Sequence, residues 1–366
     1  MDMNSRADGK DEAVTPARGP TAAASARPEQ RPIAYWLLVC CALVFAMVVL
    51  GGVTRLTGSG LSMVGWEPVS GAIPPLTQEA WESEFARYKG SPEFQYVNYW
   101  MTLGDFKRIF WFEWAHRLLG RLIGMVFLVP FLFFVATRRV DRALAPKLAA
   151  MFVLGGLQGL LGWYMVKSGL VDSPHVSQYR LAAHLAAAVI IYAYMLWVAL
   201  GLLRADSPVI TQRASTLNAR LAYAATALVF VTLISGAFVA GLKAGLIFNT
   251  FPTMQGDWLP PGLYAMQPAY LSLFEDPTSV QFNHRVLALL TLALVLAVCI
   301  HVLLRPAGTK ARGWAYAAAA MALVQVGLGI GTLLLKVPVA LATAHQAGAV
   351  LLFTFALCLS FELRAR

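Results

Sequence analysis

Eight runs of mostly apolar residues, near 34–54, 114–136, 148–166, 181–203, 219–241, 283–304, 314–334 and 340–361, dominate this chain. Each has about the 20 residues that a helix needs to cross the hydrocarbon core of a bilayer. A chain in lipid must also satisfy its own backbone N–H and C=O groups, so a helix is the natural state of each run. Hydrophobic residues make up 58% of the sequence and charged residues only 13%. That is too little charge to cover a soluble fold, and too much apolar surface for a disordered one. The runs imply an all-α, polytopic membrane protein with eight transmembrane helices. Trp36, Trp114, Trp163 and Trp314, near the ends of runs, suit an interfacial belt.

The net charge of +10 follows the same layout. The short connections 137–147, 203–220 and 305–313 carry ten Lys and Arg, whereas the much longer 55–112 and 242–282 carry six. Positive residues stay inside, so the short loops and both termini are expected in the cytoplasm. The basicity therefore needs no nucleic-acid partner. Residues 1–32, rich in Ala, Arg, Pro and Ser, read as a disordered cytoplasmic tail. Asp2, Asp8, Asp11, Glu12 and Glu29 argue against a transit peptide, and no cleavable signal peptide is apparent. Cys40, Cys41, Cys299 and Cys358 all lie in apolar runs with no CxxC pair, which disfavours a disulfide framework or a thiolate metal site.

The second half repeats the first. Gly51-Gly52 in the first crossing has a counterpart in Gly236-Ala237 in the fifth, and Pro74-Pro75 in the outer loop one in Pro260-Pro261. His116-Arg117 opens the second crossing and His284-Arg285 the sixth. Gln158 and Gln325 sit in the third and seventh, and His184 and His345 near the start of the fourth and eighth. Four crossings per unit is an even number, so both units begin on one side of the membrane. The expectation is two pseudo-symmetric parallel four-helix bundles, residues 33–203 and 204–366. Gly51, Gly52, Gly155, Gly156, Gly159, Gly162, Gly327, Gly329 and Gly331 are read as points of close helix approach.

Four histidines thus share one depth, as one pair per bundle. Ionisable residues inside a membrane segment are costly and usually functional. Two imidazoles facing each other in a bundle suit axial ligation of a haem iron, whereas zinc would need more ligands than two. The pairs are His116 with His184 and His284 with His345, the metal ligands being iron ligands in each case. Arg117 and Arg285 could contact haem propionates or snorkel toward water. Gln158 and Gln325 suit interhelical hydrogen bonding. Lys243 and Lys336 suit snorkelling, and His175 and His301 carry no functional reading. The halves differ at one point: Glu113 stands three residues before His116, but Gln281 stands three before His284. A carboxylate beside a haem can move protons or stabilise positive charge, and an amide can do neither as acid or base. The alternative for Glu113 is a solvated carboxylate in a loop that also holds Glu67, Glu79, Glu82, Glu84, Glu93 and Asp105.

Glu113-Trp114-Ala115-His116-Arg117 resembles the ExxHR motif of the Cox15/CtaA family of haem A synthases. Gly52 to Ser62 resembles the segment that leaves that family's first crossing, and Phe248-Asn249-Thr250-Phe251-Pro252 with Met254 its counterpart after the fifth. The resemblance runs from about residue 33 to the end. It implies oxidation of a methyl group of haem O to a formyl group by successive hydroxylation and loss of water, giving haem A for terminal oxidases. It further implies that haem O, the substrate, lies between His116 and His184 with Glu113 as the catalytic residue. The haem b cofactor would lie between His284 and His345. Some members carry a cysteine pair in the first outer loop, and this sequence has none there. The expected setting is a bacterial plasma (inner) membrane. Partners implied are membrane lipid, haem O and haem A, a haem O synthase, an electron donor and further copies of this chain. A cytochrome b-like two-haem electron-transfer protein is the alternative. It would use the same histidines but gives no reason for Glu113 against Gln281. A transporter, which also fits parallel repeats, would bind no haem.

Overall fold

The computed structural model describes residues 30–364 apart from 66, 68–69, 171–175, 205–215 and 306. Among the described residues, eight helices are long and apolar enough to cross a membrane, as the apolar runs require. They are α1 (Arg31–Leu56), α3 (Leu103–Ala136), α4 (Ala145–Gly169), α5 (Gln178–Arg204), α6 (Thr216–Gly241), α7 (Pro277–Leu303), α8 (Thr309–Leu334) and α9 (Val339–Leu363). A ninth, α2 (Gln78–Lys89), lies in the first long loop. The described residues contain no strand, only an isolated bridge between Met254 and Asp257. The tail expected over residues 1–32 falls outside the described residues, except that α1 already begins at Arg31 with Pro32 in its first turn. Proline is tolerated there because that N–H has no partner in the helix anyway.

The spanning helices pack in two closed rings. In the first, α1 contacts α3 and α5, and α4 contacts the same two. In the second, α6 contacts α7 and α9, and α8 contacts the same two. The rings meet where α1 and α5 lie against α6 and α9, and one continuous apolar core runs through both. Side chains on the outer surface are apolar as well: Leu122, Met125, Val129 and Leu132 of α3 are all more than 45% exposed. Such surface is expected for a helix in lipid and not for one in water. Polar bonds tie the rings together. Gln346 of α9 donates to Val48 O at 2.9 Å, and Arg55 at the end of α1 donates to the last carbonyls of α6, Ala240 O at 3.3 Å and Gly241 O at 3.2 Å.

Three expectations change. The helix carrying Glu113 starts at Leu103, not near 114. Its first turns are polar and read as loop, but Thr102 and Asp105 form a reciprocal capping box. An aromatic cluster then holds the extension: Trp81, Phe85 and Tyr88 of α2 pack on Phe106 and Phe110. Trp36 is not an interfacial anchor. It is buried between Phe127 and Phe134 and donates to Val126 O at 2.7 Å. Gly155, Gly156, Gly159 and Gly327 are not close helix contacts, because a methyl group built on any of them would meet nothing within 4 Å.

Candidate functional site

The chain leaving α1 must turn back over the N-terminal half of α3. Gly58 provides the turn, with a left-handed φ of +65° that costs glycine little. Ser59 N donates to Thr54 O at 2.9 Å, and the Thr57 and Ser59 hydroxyls lie 2.6 Å apart. This brings Ser62 and Met63 onto Glu113. Ser62 Oγ and Met63 N each donate to Glu113 Oε2 at 2.7 Å, and Arg117 Nη2 donates to Oε1 at 2.5 Å. Glu113 is only 2% exposed, so it is not the solvated loop carboxylate that its sequence neighbours suggested. The buried carboxylate thus has one cation and two further donors arranged on its two oxygens.

The second half builds the same frame with an amide. Arg117 donates to Met63 O at 2.8 Å and Gly65 O at 3.0 Å; Arg285 donates to Phe248 O and Thr250 O, both at 2.9 Å. Where Glu113 accepts from the backbone of the returning segment, Gln281 Nε2 donates to Phe248 O at 3.1 Å. Both arginines thus clamp the returning loop, a role that the sequence did not suggest.

Each of the four histidines sits against a glycine of a neighbouring helix: His116 on Gly51, His184 on Gly162, His284 on Gly236 and His345 on Gly329. A methyl group on these glycines would come within 2.9–3.3 Å of a ring atom, closer than packed atoms normally approach. The glycines make room for imidazoles. One turn before Gly162 on the same helix, Gln158 Nε2 lies 3.1 Å from His184 Nδ1 and donates to His184 O at 2.8 Å. Gln325 does the same to His345, at 3.1 and 2.9 Å. This interhelical bonding agrees with the role expected for both glutamines. Ser235 Oγ lies 2.7 Å from His284 Nδ1.

The imidazoles of His284 and His345 have centroids 6.5 Å apart and perpendicular planes. Two rings each about 2 Å from a shared metal ion would have centroids roughly 6 Å apart, so this pair fits axial ligation of one iron. Among the described residues no group of three or more His, Cys, Asp or Glu could hold a metal ion. His116 is turned differently, with Nε2 toward Gly51. His301 bonds Asn218 Oδ1 at 3.0 Å, where the end of α7 meets the start of α6. His175 lies outside the described residues.

Glu93 reads from sequence only as one carboxylate of an acidic loop, yet it is 7% exposed. Its Oε2 accepts from Tyr88 OH at 3.4 Å, and the Tyr88 hydroxyl in turn accepts from Asn98 Nδ2 at 2.8 Å. Burial and the nearby Glu113 carboxylate push the Glu93 pKa to about 8. Glu67, by contrast, bonds Arg87 at 3.1 Å on the surface, which holds its carboxyl below the usual range. Only the fold separates these two glutamates.

Comparison with known proteins gives a consistent result. The profile of the COX15-CtaA family, described as cytochrome oxidase assembly proteins, matches residues 34–357. The chain is 52% identical over 337 residues to the heme A synthase of Nitrosospira multiformis, covering 92% of this chain and 94% of that protein. It is 51% identical to the heme A synthase of Parvibaculum lavamentivorans, covering 89% and 92%. It is 43% identical over 360 residues to heme A synthase COX15 of Bos taurus, covering 97% and 87%.

Proposed function

Since this chain belongs to the COX15-CtaA family, we propose that it is a haem A synthase, an oxidoreductase that converts a methyl group of haem O to a formyl group. The substrate lies in the first ring between His116 and His184. A haem b cofactor lies in the second between His284 and His345. The protein spans a bacterial inner membrane with its termini in the cytoplasm and its long loops outside, the two rings being parallel bundles related by a pseudo-two-fold axis. The observation that carries this reading is the buried Glu113 carboxylate, set where the repeat has Gln281.

Glu113 is the catalytic residue in this reading. Its Oε2 is taken by Ser62 and Met63, while Oε1 accepts from Arg117 and keeps acceptor capacity. That oxygen can stabilise an electron-deficient methyl carbon or take the proton of an incoming water. Each hydroxylation removes two electrons from that carbon, and with the oxygen taken from water an external electron acceptor must take up both, while the two protons pass to bulk water. His284 and His345 would hold a haem b, which when bound would supply one-electron transfer. Arg285 Nε is buried and lacks a hydrogen-bond partner, which supports a propionate contact there. Arg117 occupies the matching place beside the substrate.

The test is Glu113→Ala and Glu113→Gln, with chromatography of extracted haems after haem O and a reductant are supplied. Both variants are expected to retain bound haem and form no haem A. Normal haem A formation in either would remove Glu113 from the chemistry.

A further inference from the structure

The seam beneath the first histidine of each half differs in chemistry. In the second half, Ser235 Oγ donates to Thr232 O at 2.7 Å and lies 2.7 Å from His284 Nδ1. A hydroxyl has one proton. With that proton on the Thr232 carbonyl, Oγ can only accept from the imidazole, so Nδ1 carries the hydrogen and Nε2 keeps its lone pair. That tautomer is the one that can ligate iron through Nε2. One turn along, the hydroxyls of Thr232 and Thr291 lie 2.6 Å apart and join α6 to α7.

Matching the repeats through Gly51 with Gly236 and His116 with His284 puts Leu50, Met47 and Ile123 at the places of Ser235, Thr232 and Thr291. The α1–α3 seam therefore has no hydroxyl at any of the three places. The ring of His116 is turned accordingly. A methyl group on Gly51 would meet its Nε2 at 3.0 Å, whereas one on Gly236 would meet Cε1 of His284 at 3.3 Å.

We propose that Ser235 is a positioning residue that locks His284 for permanent haem retention, while Leu50 leaves His116 free to turn, so that the haem of the first half can be exchanged. This rests on the reading above of one haem per half. A substrate site must release its product at every turnover, and a cofactor site must not. Hydrogen bonds to the outer nitrogen of a ligating histidine typically change metal affinity by roughly 10–100-fold, enough to separate the two behaviours.

The test mixes purified wild type, Ser235→Ala, Ser235→Thr and Leu50→Ser with excess apomyoglobin, a haem scavenger. Haem loss is followed by absorbance, and the haems that remain are identified after extraction. S235A is expected to lose haem b on the order of 10–100-fold faster than wild type, with a shifted low-spin EPR signal. S235T restores both rate and signal, which a mere packing defect would not allow. L50S is expected to slow haem loss from the first half. Wild-type haem b loss and an unchanged EPR signal in S235A would overturn the proposal and leave the site reading intact. Should S235A fail to fold, unchanged haem loss in L50S would overturn it instead. A full bis-histidine signal in His284→Ala would show that the haem assignment itself fails.

Discussion

At the scale of single residues, glycine position decides where an imidazole can sit. Gly329 and Gly327 stand two residues apart on α8, yet a methyl group on Gly329 would press within 2.9 Å of His345 while one on Gly327 meets open space. Gly329→Ala should therefore lower bound haem b severalfold without loss of folded protein, and Gly327→Ala should leave it unchanged. Pyridine haemochrome spectra of the two purified variants decide the matter. Equal haem content would mean that His345 has room to move. The four histidines, Glu113 and its contrast with Gln281 were legible in the sequence, because the duplication sets one half against the other. Ser62, the backbone N–H of Met63 and Ser235 were not assigned roles, since those roles depend on which side chain a returning segment faces.

At the scale of elements, α2 and the outer extension of α3 form a cap over Glu113. Glu93 is buried within it, beside Tyr88 of α2, and feels Glu113 of α3 and Arg55 of α1. Its pKa rises from 4.5 to about 8 on folding, so the folded cap binds the proton more tightly than the open chain does. The resulting stability is fully present below the lower value and is lost as pH rises through the higher one. Hydrogen exchange in residues 78–98, corrected for intrinsic rates, should show more opening at about pH 8.5 than at about pH 5. Glu93→Gln should flatten that dependence; an equally steep profile in the variant would assign it to another group. The cap escaped sequence reading because its helix starts are polar. Its stability comes from aromatic residues of two segments that meet only after folding.

At the scale of the whole molecule, the charge asymmetry of the loops predicts orientation. Gln78 in the first long loop and Lys310 in the last short one are both exposed, and the four native cysteines are buried. A membrane-impermeant maleimide applied to intact cells should label Gln78→Cys. It should reach Lys310→Cys only after lysis. The opposite pattern would invert the topology. The rings also share their core and are tied by Gln346 to Val48 and by Arg55 to α6.

Sequence by itself determined the eight helices, because lipid leaves an apolar run of that length few other states. It also determined the duplication and the positions of the histidines along each helix. Tertiary structure decided which glycine admits each imidazole, which donors meet the Glu113 carboxyl, and that Glu93 is buried while Glu67 is not. Those outcomes depend on distances of a few ångströms between segments far apart in the chain. No local pattern of residues encodes such distances; only the packing of one helix on another sets them.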